Sequence, residues 1–374
     1  MRYYIIAGEA SGDLHGSNLV KGLKAEDTEA EFRFWGGDMM AEAAGSGPVR
    51  HYRDGAVMGL TDVLSKAGKL LGNISFCKSD ILSWRPDVVI LIDYPGFNMK
   101  IARFCHGHSI KVFYYIAPKT WASREGRNRE LKAWVDKLFI VFPFEIPYFT
   151  EKGIPFEYLG NPLIDAVDNH VYTRPVEGKY IAVLAGSRKG EIGRMMPVCA
   201  EVIREMHSMP DFADYKFVIA GAPSRSDPDY LPYLSDEMKE YVSVVFGRTY
   251  DVLKFADAAI INSGTASLEA ALIGTPQVVC WSTSAITAFA ARYILKVMDH
   301  IRYISLGNLC VDRLVFRELV QEDFNAGNVR DEVIRLVKDA RYRETMASGY
   351  REIRDKLGGS GASRAVARAM ISSL

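Results

Sequence analysis

Short, unbroken apolar runs that end in Gly, Asp or Pro alternate along this chain with longer stretches of helical period. Buried parallel strands covered by helices produce that rhythm, because both faces of such strands lie under other elements. In the first half the runs are Tyr3 to Ala7, "DVVILIDYP" (Asp87 to Pro95), "KVFYYIAP" (Lys111 to Pro118) and "KLFIVFPF" (Lys137 to Phe144). The series restarts with "YIAVLAGSR" (Tyr180 to Arg188), "KFVIAGAP" (Lys216 to Pro223), "AAIINSGT" (Ala258 to Thr265) and "PQVVCW" (Pro276 to Trp281). Two doubly wound α/β domains are the simplest account.

Between the two series, Gly160 to Tyr180 carries a Pro-bearing turn, a polar segment and a second Pro, which reads as an interdomain linker. We expect domains at 1–165 and 176–344, with the C-terminal helices from about 345 to 374 completing the first. The glycine cluster in "LGGSGASRAVARAM" precedes a final short helix able to dock elsewhere on the protein or on a partner subunit. A length of 374 residues agrees with two cores.

Composition narrows the picture. Lys plus Arg equals Asp plus Glu at 46 each, so the balance argues against a general nucleic-acid binder. Cys77, Cys105, Cys199, Cys280 and Cys310 are scattered without a C-x-x-C pair, and read as reduced core residues of a cytosolic protein. The opening "MRYYIIAGEASGD" is too short in its apolar run for a signal peptide. No window approaches the roughly 18 apolar residues of a spanning helix. Two segments, Gly55 to Phe76 and Ile286 to Ile304, mix apolar residues with Lys and Arg as an interfacial helix does. An ordinary core-facing stripe has the same pattern.

The candidate chemistry sits where strands end. In "IIAGEASGDLHG" the glycine spacing matches neither the dinucleotide fingerprint nor the P-loop. Glu9 and Asp13 end one strand, with His15 as a competing base. "VVILIDYPGFN" delivers Asp93 to the end of another, where partial burial suits a general base; capping of the next turn is the plainer alternative. In the second half, "LAGSRKGEI" presents Gly186, Ser187 and Arg188, whose guanidinium can clamp a pyrophosphate. "INSGTASLEAALIGTP" starts a helix at Ser263, Gly264 and Thr265, whose free N–H groups favour an anion. Ser267 and Glu269 follow. Glu269 suits a ribose diol, or simply helps cap the helix. Two anion-suited loops on one domain favour a nucleotide.

The sequence resembles the lipid-A-disaccharide synthase family, inverting glycosyltransferases of the two-domain GT-B fold. The motifs appear in order over nearly the whole chain: "GEASGDLHG", "AVMGLTDVL", "PDVVILIDYPGFN", "YYIAPKTWA", "FPFE", "LAGSR", "NSGTASLEAAL", "RYISLGNL" and "RELVQE". The resemblance implies two Rossmann-like domains facing a central cleft. It implies transfer from UDP-2,3-diacylglucosamine to 2,3-diacylglucosamine 1-phosphate, giving a β-1,6 disaccharide and UDP. By motif position Asp93 matches the base for the acceptor 6-hydroxyl and Glu9 the carboxylate of the first loop. Arg188, Gly264, Thr265, Ser267 and Glu269 fall in the UDP-holding segments, and Asn308 and Gln321 match later polar positions. The chain departs from the family pattern at Asp62, Gly96, Ala117, Ser123, Asn161, Ala185, Gly307 and Arg317, none of them a proposed catalytic group.

Further expectations follow. Ser11, Asp13 and His15 face the acceptor, whose 1-phosphate meets the helix start near Ser11. No Asp-x-Asp motif stands beside a nucleotide loop, so neither metal nor other cofactor is expected. Acylated substrates bring the enzyme to the cytoplasmic face of a Gram-negative inner membrane, with Met58 and Leu60 as contacts. The family suggests a homodimer with exchanged C-terminal segments. The competing readings are another UDP-sugar transferase or a UDP-sugar 2-epimerase on the same scaffold, and a non-catalytic UDP-sugar-binding module.

Overall fold

The computed structural model describes residues 1–55, 63–121, 125–283 and 302–374, with backbone alone at 55, 63–67 and 69. Met58, Leu60 and most of 286–304 lie outside the described residues. The chain divides into two units: Met1–Asp168 with Leu357–Leu374, and Asn169–Lys356.

Unit 1 is built on a parallel sheet of β1 (Arg2–Ala7), β2 (Glu31–Gly36), β3 (Arg50–His51), β4 (Val88–Ile92), β5 (Lys111–Tyr115), β6 (Lys137–Ile140) and β7 (Glu157–Tyr158). Its order is β3-β2-β1-β4-β5-β6-β7. The central strands β1 and β4 pair in register from Tyr3 and Val88 to Ala7 and Ile92. All five residues of β4 are buried, which is why its sequence, VVILI, has no polar position.

Unit 2 repeats the plan with β8 (Tyr180–Leu184), β9 (Lys216–Gly221), β10 (Val242–Phe246), β11 (Ala258–Asn262), β12 (Gln277–Trp281) and β13 (Glu318–Val320), ordered β10-β9-β8-β11-β12-β13. In each sheet the winding reverses between the first and fourth strands, β1/β4 and β8/β11. The crevice beyond the carboxyl ends of such a pair is where open α/β sheets take their ligands.

The expected linker is only half a linker. Pro162–Asp168 is a helix with Leu163, Ile164 and Val167 buried in unit 1. Asn161 starts it, its Oδ1 accepting from Leu163 N at 2.9 Å. The unit boundary at the far end falls at Leu357, later than the expected 345, since the helix Ala340–Leu357 counts with unit 2 up to Lys356. The helix Ala362–Ile371 then packs on Ala10–Glu26. A Cβ at Gly22 would stand 3.0 Å from Ser363 O, so the helices approach closely there and glycine gives them room. Asp165 accepts from the Gly361 and Ser363 amides, capping that last helix. Glu26 pairs with Arg364 and Arg368. The five cysteines are all buried as thiols.

Candidate active site

In unit 1 the carboxyl ends of β1 and β4 bring Gly8, Glu9, Asp93 and Tyr94 together. Glu9 is exposed at the N-cap of the helix Ala10–Glu26. Gly8 is needed because a Cβ there would lie 2.4 Å from the Tyr94 ring. Asp93 is half-buried, and its backbone takes the left-handed conformation at φ +43°, as does Tyr94 at +48°. Such non-glycine residues cost about 1–3 kcal/mol each unless the surroundings enforce them. Here Asn98 Nδ2 and Tyr114 OH both donate to Asp93 O at 2.7 Å, while Asp93 N donates to Tyr115 O at 3.2 Å. Asn98 and Tyr114 are fully buried, so the turn is held from inside the fold. One strand further on, Ile116 stands at φ +66° after β5, an outlier for a β-branched residue.

Glu145, after β6, belongs to the same sheet edge. It is buried, accepts from Val141 N and Phe142 N through Oε2, and from Trp121 Nε1 through Oε1 at 3.2 Å. Burial pushes its carboxyl up to about 7 despite those bonds. Trp121 meets Phe144 edge to face, and Phe144 stacks on Phe142. In the sequence this glutamate stands only as the last letter of the "FPFE" motif. Its one sequence signal is a carboxylate set directly after an aromatic strand end.

Two expectations for unit 1 are corrected. Asp13 is buried and accepts from the amides of Gly37, Met39 and Met40, so both oxygens are spent capping the helix Asp38–Ala44. It serves the fold and does not face an acceptor. His15 is buried too, and desolvation lowers its pKa to about 4, which removes it as a surface base. Ser11 lies half-buried in the first turn of Ala10–Glu26.

In unit 2 the two anion-suited loops meet at the β8/β11 switch point. Gly186 has φ +99°, and a Cβ there would come within 2.7 Å of Glu191 Oε2 and 2.8 Å of Asn262 Nδ2. Only glycine permits β8 to end so close to β11. Glu191 Oε2 accepts from the Ser187 and Arg188 amides, and Oε1 from Arg188 Nη1 at 3.0 Å. Arg188 thus starts the helix Lys189–His207 with its side chain 68% exposed. Arg225, which the sequence reading missed, donates from Nε to Ser187 O at 2.8 Å and adds a second cation to this edge.

Gly264 is the N-cap of the helix Thr265–Ile273, with extended backbone and nothing within 4 Å of an added Cβ. Thr265 is the first helical residue. Glu269 is half-buried one turn on, and burial raises its carboxyl to about 6 although the hydroxyl of Tyr250 donates to Oε1 at 2.9 Å. Ser267 is corrected: it is fully buried and donates to Gly264 O, steadying the helix start rather than meeting a ligand. Asn308 is likewise internal, bonded to Val315, Phe316 and Glu318. Gln321, at φ +55° after β13, accepts from Thr283 N at 2.7 Å and fixes the end of β12. Among the described residues no cluster of three or more His, Cys, Asp or Glu is placed to hold a metal, and no helix is long and apolar enough to cross a membrane.

Two parallel sheets of one winding plan, each with its polar loops at the switch point, define the class as GT-B. The fold is similar to that of a putative UDP-N-acetylglucosamine 2-epimerase from Listeria monocytogenes (TM-score 0.72, 15% identity, 100% of this chain and 96% of that one). It is equally similar to an S. aureus MnaA–UDP co-structure (TM-score 0.73, 14% identity, 99% and 95%). Identities this low speak for the fold alone. The model of the lipid-A-disaccharide synthetase family matches residues 3–370. Lipid-A-disaccharide synthases of Trichlorobacter lovleyi and Geobacter sulfurreducens are 34% and 36% identical, over 99% and 98% of this chain and 97% and 95% of theirs. The chain belongs to the lipid-A-disaccharide synthase family.

Proposed function

We propose that the protein joins UDP-2,3-diacylglucosamine to 2,3-diacylglucosamine 1-phosphate, forming the β-1,6 disaccharide 1-phosphate and releasing UDP. Family membership supports the reaction, and the single structural observation that carries the mechanism is Asp93, held in a strained turn at a switch point. Its carboxylate takes the proton of the acceptor 6-hydroxyl as that oxygen attacks the anomeric carbon. The new C–O bond forms on the face opposite the nucleotide, the bond from the anomeric carbon to the UDP oxygen breaks, and configuration inverts. Glu9, across the β1/β4 pair, is the second carboxylate for the acceptor sugar.

On unit 2, Arg188 and the helix start at Gly264 and Thr265 receive the charge that builds on the departing pyrophosphate. Glu269 accepts from the ribose diol. These groups supply the stabilisation, so the reading invokes no divalent cation. Acylated substrates place the enzyme peripherally on the cytoplasmic face of the inner membrane, with Met58 and Leu60 as contacts. A homodimer exchanging the segment after Leu357 is part of the reading; the left-handed Gly358 and Gly361 support it as hinges.

The deciding experiment incubates the protein with both acylated substrates and analyses the product by mass spectrometry. A disaccharide 1-phosphate formed mole for mole with UDP is expected. UDP-sugar consumed without disaccharide, or bound and not consumed, overturns the reading.

A further inference from the structure

Glu269 Oε1 is taken by the Tyr250 hydroxyl, while Oε2 has no hydrogen-bond partner among the described residues. Tyr250 belongs to the helix Thr249–Lys254, which packs on Thr265–Ile273. Its ring is clamped in turn: His170 meets it edge to face, with ring centroids 5.3 Å apart. His170 Nε2 lies 3.0 Å from Asp251 Oδ1, and Asp251 also accepts from Thr173 and Arg248. A flexible carboxylate is thus fixed by a chain of rigid partners, with one oxygen left over.

We propose that Tyr250 is a positioning residue for nucleotide binding: its hydroxyl fixes the Glu269 carboxylate, in ionised form, so that Oε2 accepts a ribose hydroxyl. The inference rests on the reading of Glu269 as the ribose-binding residue. The chemistry is direct. Burial favours the protonated acid, which has lost part of its acceptor capacity; the Tyr250 hydroxyl opposes burial by stabilising the anion.

Among the described residues the groups around the pair are few. On the helix Thr249–Lys254 the others are Asp251, tied to His170 and Arg248, and Lys254, which lies over the ring of Tyr172. Tyr172 and His170 stand behind Tyr250. The helix Leu306–Val311 and β12 add only the buried thiols Cys310 and Cys280, and β11 adds no titratable group.

The test is calorimetric titration of UDP and of 2′,3′-dideoxy-UDP between pH 5 and 8.5. Titration of the diphosphate is common to both ligands and cancels in the ratio of their dissociation constants. In the wild type the preference for UDP should be several-fold at pH 8 and fade with a midpoint near 6. Tyr250→Phe should weaken the preference at pH 8.5 and move the midpoint up by about one pH unit, the effect of losing one charge-assisted bond. Glu269→Gln should show a small preference that does not change with pH. An unmoved midpoint in Tyr250→Phe overturns the inference. So does a wild-type preference that is flat from pH 5 to 7, a result that needs no variant to fold. A full, pH-dependent preference in Glu269→Gln overturns instead the ribose reading on which the inference rests.

Discussion

The two switch points solve the same placement problem by opposite means. In unit 1 the turn after β4 is made by non-glycine residues forced to positive φ and held there by Asn98 and Tyr114 from the core. In unit 2 the turn after β8 is made by Gly186, where positive φ costs little, and Arg188 extends from it into solvent. A carboxylate that must meet one hydroxyl at one distance gains from enforced geometry. Under the proposed function, a diphosphate would be held by several amides and cations at once, so its loop need not be strained.

Two carboxylates, Glu145 of unit 1 and Asp251 of unit 2, differ in the sign of their shift. Glu145 is pushed up to about 7 by burial, whereas Asp251 is held down at about 2: burial works against it, but Thr173, His170 and Arg248 outweigh burial. A raised group stabilises the fold fully below its ordinary value, 4.5 for Glu145, and loses that contribution as pH rises through about 7. A depressed group such as Asp251 stabilises above its ordinary 3.8 and loses the contribution as pH falls through about 2.

The sharpest break in the comparison is Asp93→Asn. We expect turnover to fall by about 10²–10⁴-fold while UDP affinity stays unchanged, as measured by steady-state kinetics beside UDP titration. Near-normal turnover moves the base to Glu9. Next in size is Glu145→Gln in urea unfolding at several pH values. Wild-type stability relative to the variant should drop by about 3 kcal/mol between pH 4.5 and 8, and a constant difference contradicts the raised carboxyl.

Glycine substitutions compare the edges directly. Gly8→Ala should lower the thermal midpoint and cost about 1–3 kcal/mol, because the added methyl drives into the Tyr94 ring. Gly264→Ala should leave the midpoint within experimental scatter, since nothing stands within 4 Å. Equal destabilisation would erase the distinction between the two turns. Small in stability too is Arg188→Ala, whose exposed pair with Glu191 contributes about 0–1 kcal/mol. UDP affinity should nevertheless fall by about tenfold, the size of one charge-assisted bond. Unchanged affinity removes Arg188 from the nucleotide site.

The sequence made the central strands legible because burial on both faces leaves an unbroken apolar run, as in VVILI of β4 and AAIIN of β11. It concealed β2, β3, β7, β10 and β13. β2 keeps one end half-exposed and mixes Arg33 among aromatics, and β3 and β7 are only two residues long. The glycine and arginine loops were readable because their chemistry is local. Asp13, Ser267 and Asn308 were misplaced for the converse reason: a polar side chain spent on backbone amides or carbonyls in the core has the same letter as one offered to a ligand. Tyr250 and Asn98 bond to Glu269 and Asp93, partners that only the fold brings near.

The cap that Asp165 places on Gly361 and Ser363 makes completion of the first unit wait for the end of the chain. About 190 residues separate Asp168 from Leu357. At roughly 5–20 residues per second, the ribosome needs about 10–40 s to synthesise them. For that time the nascent first unit waits with the groove along Gly22 uncovered and Asp165 without its partners, while the second unit is still being synthesised. The part of the chain that begins first is finished last.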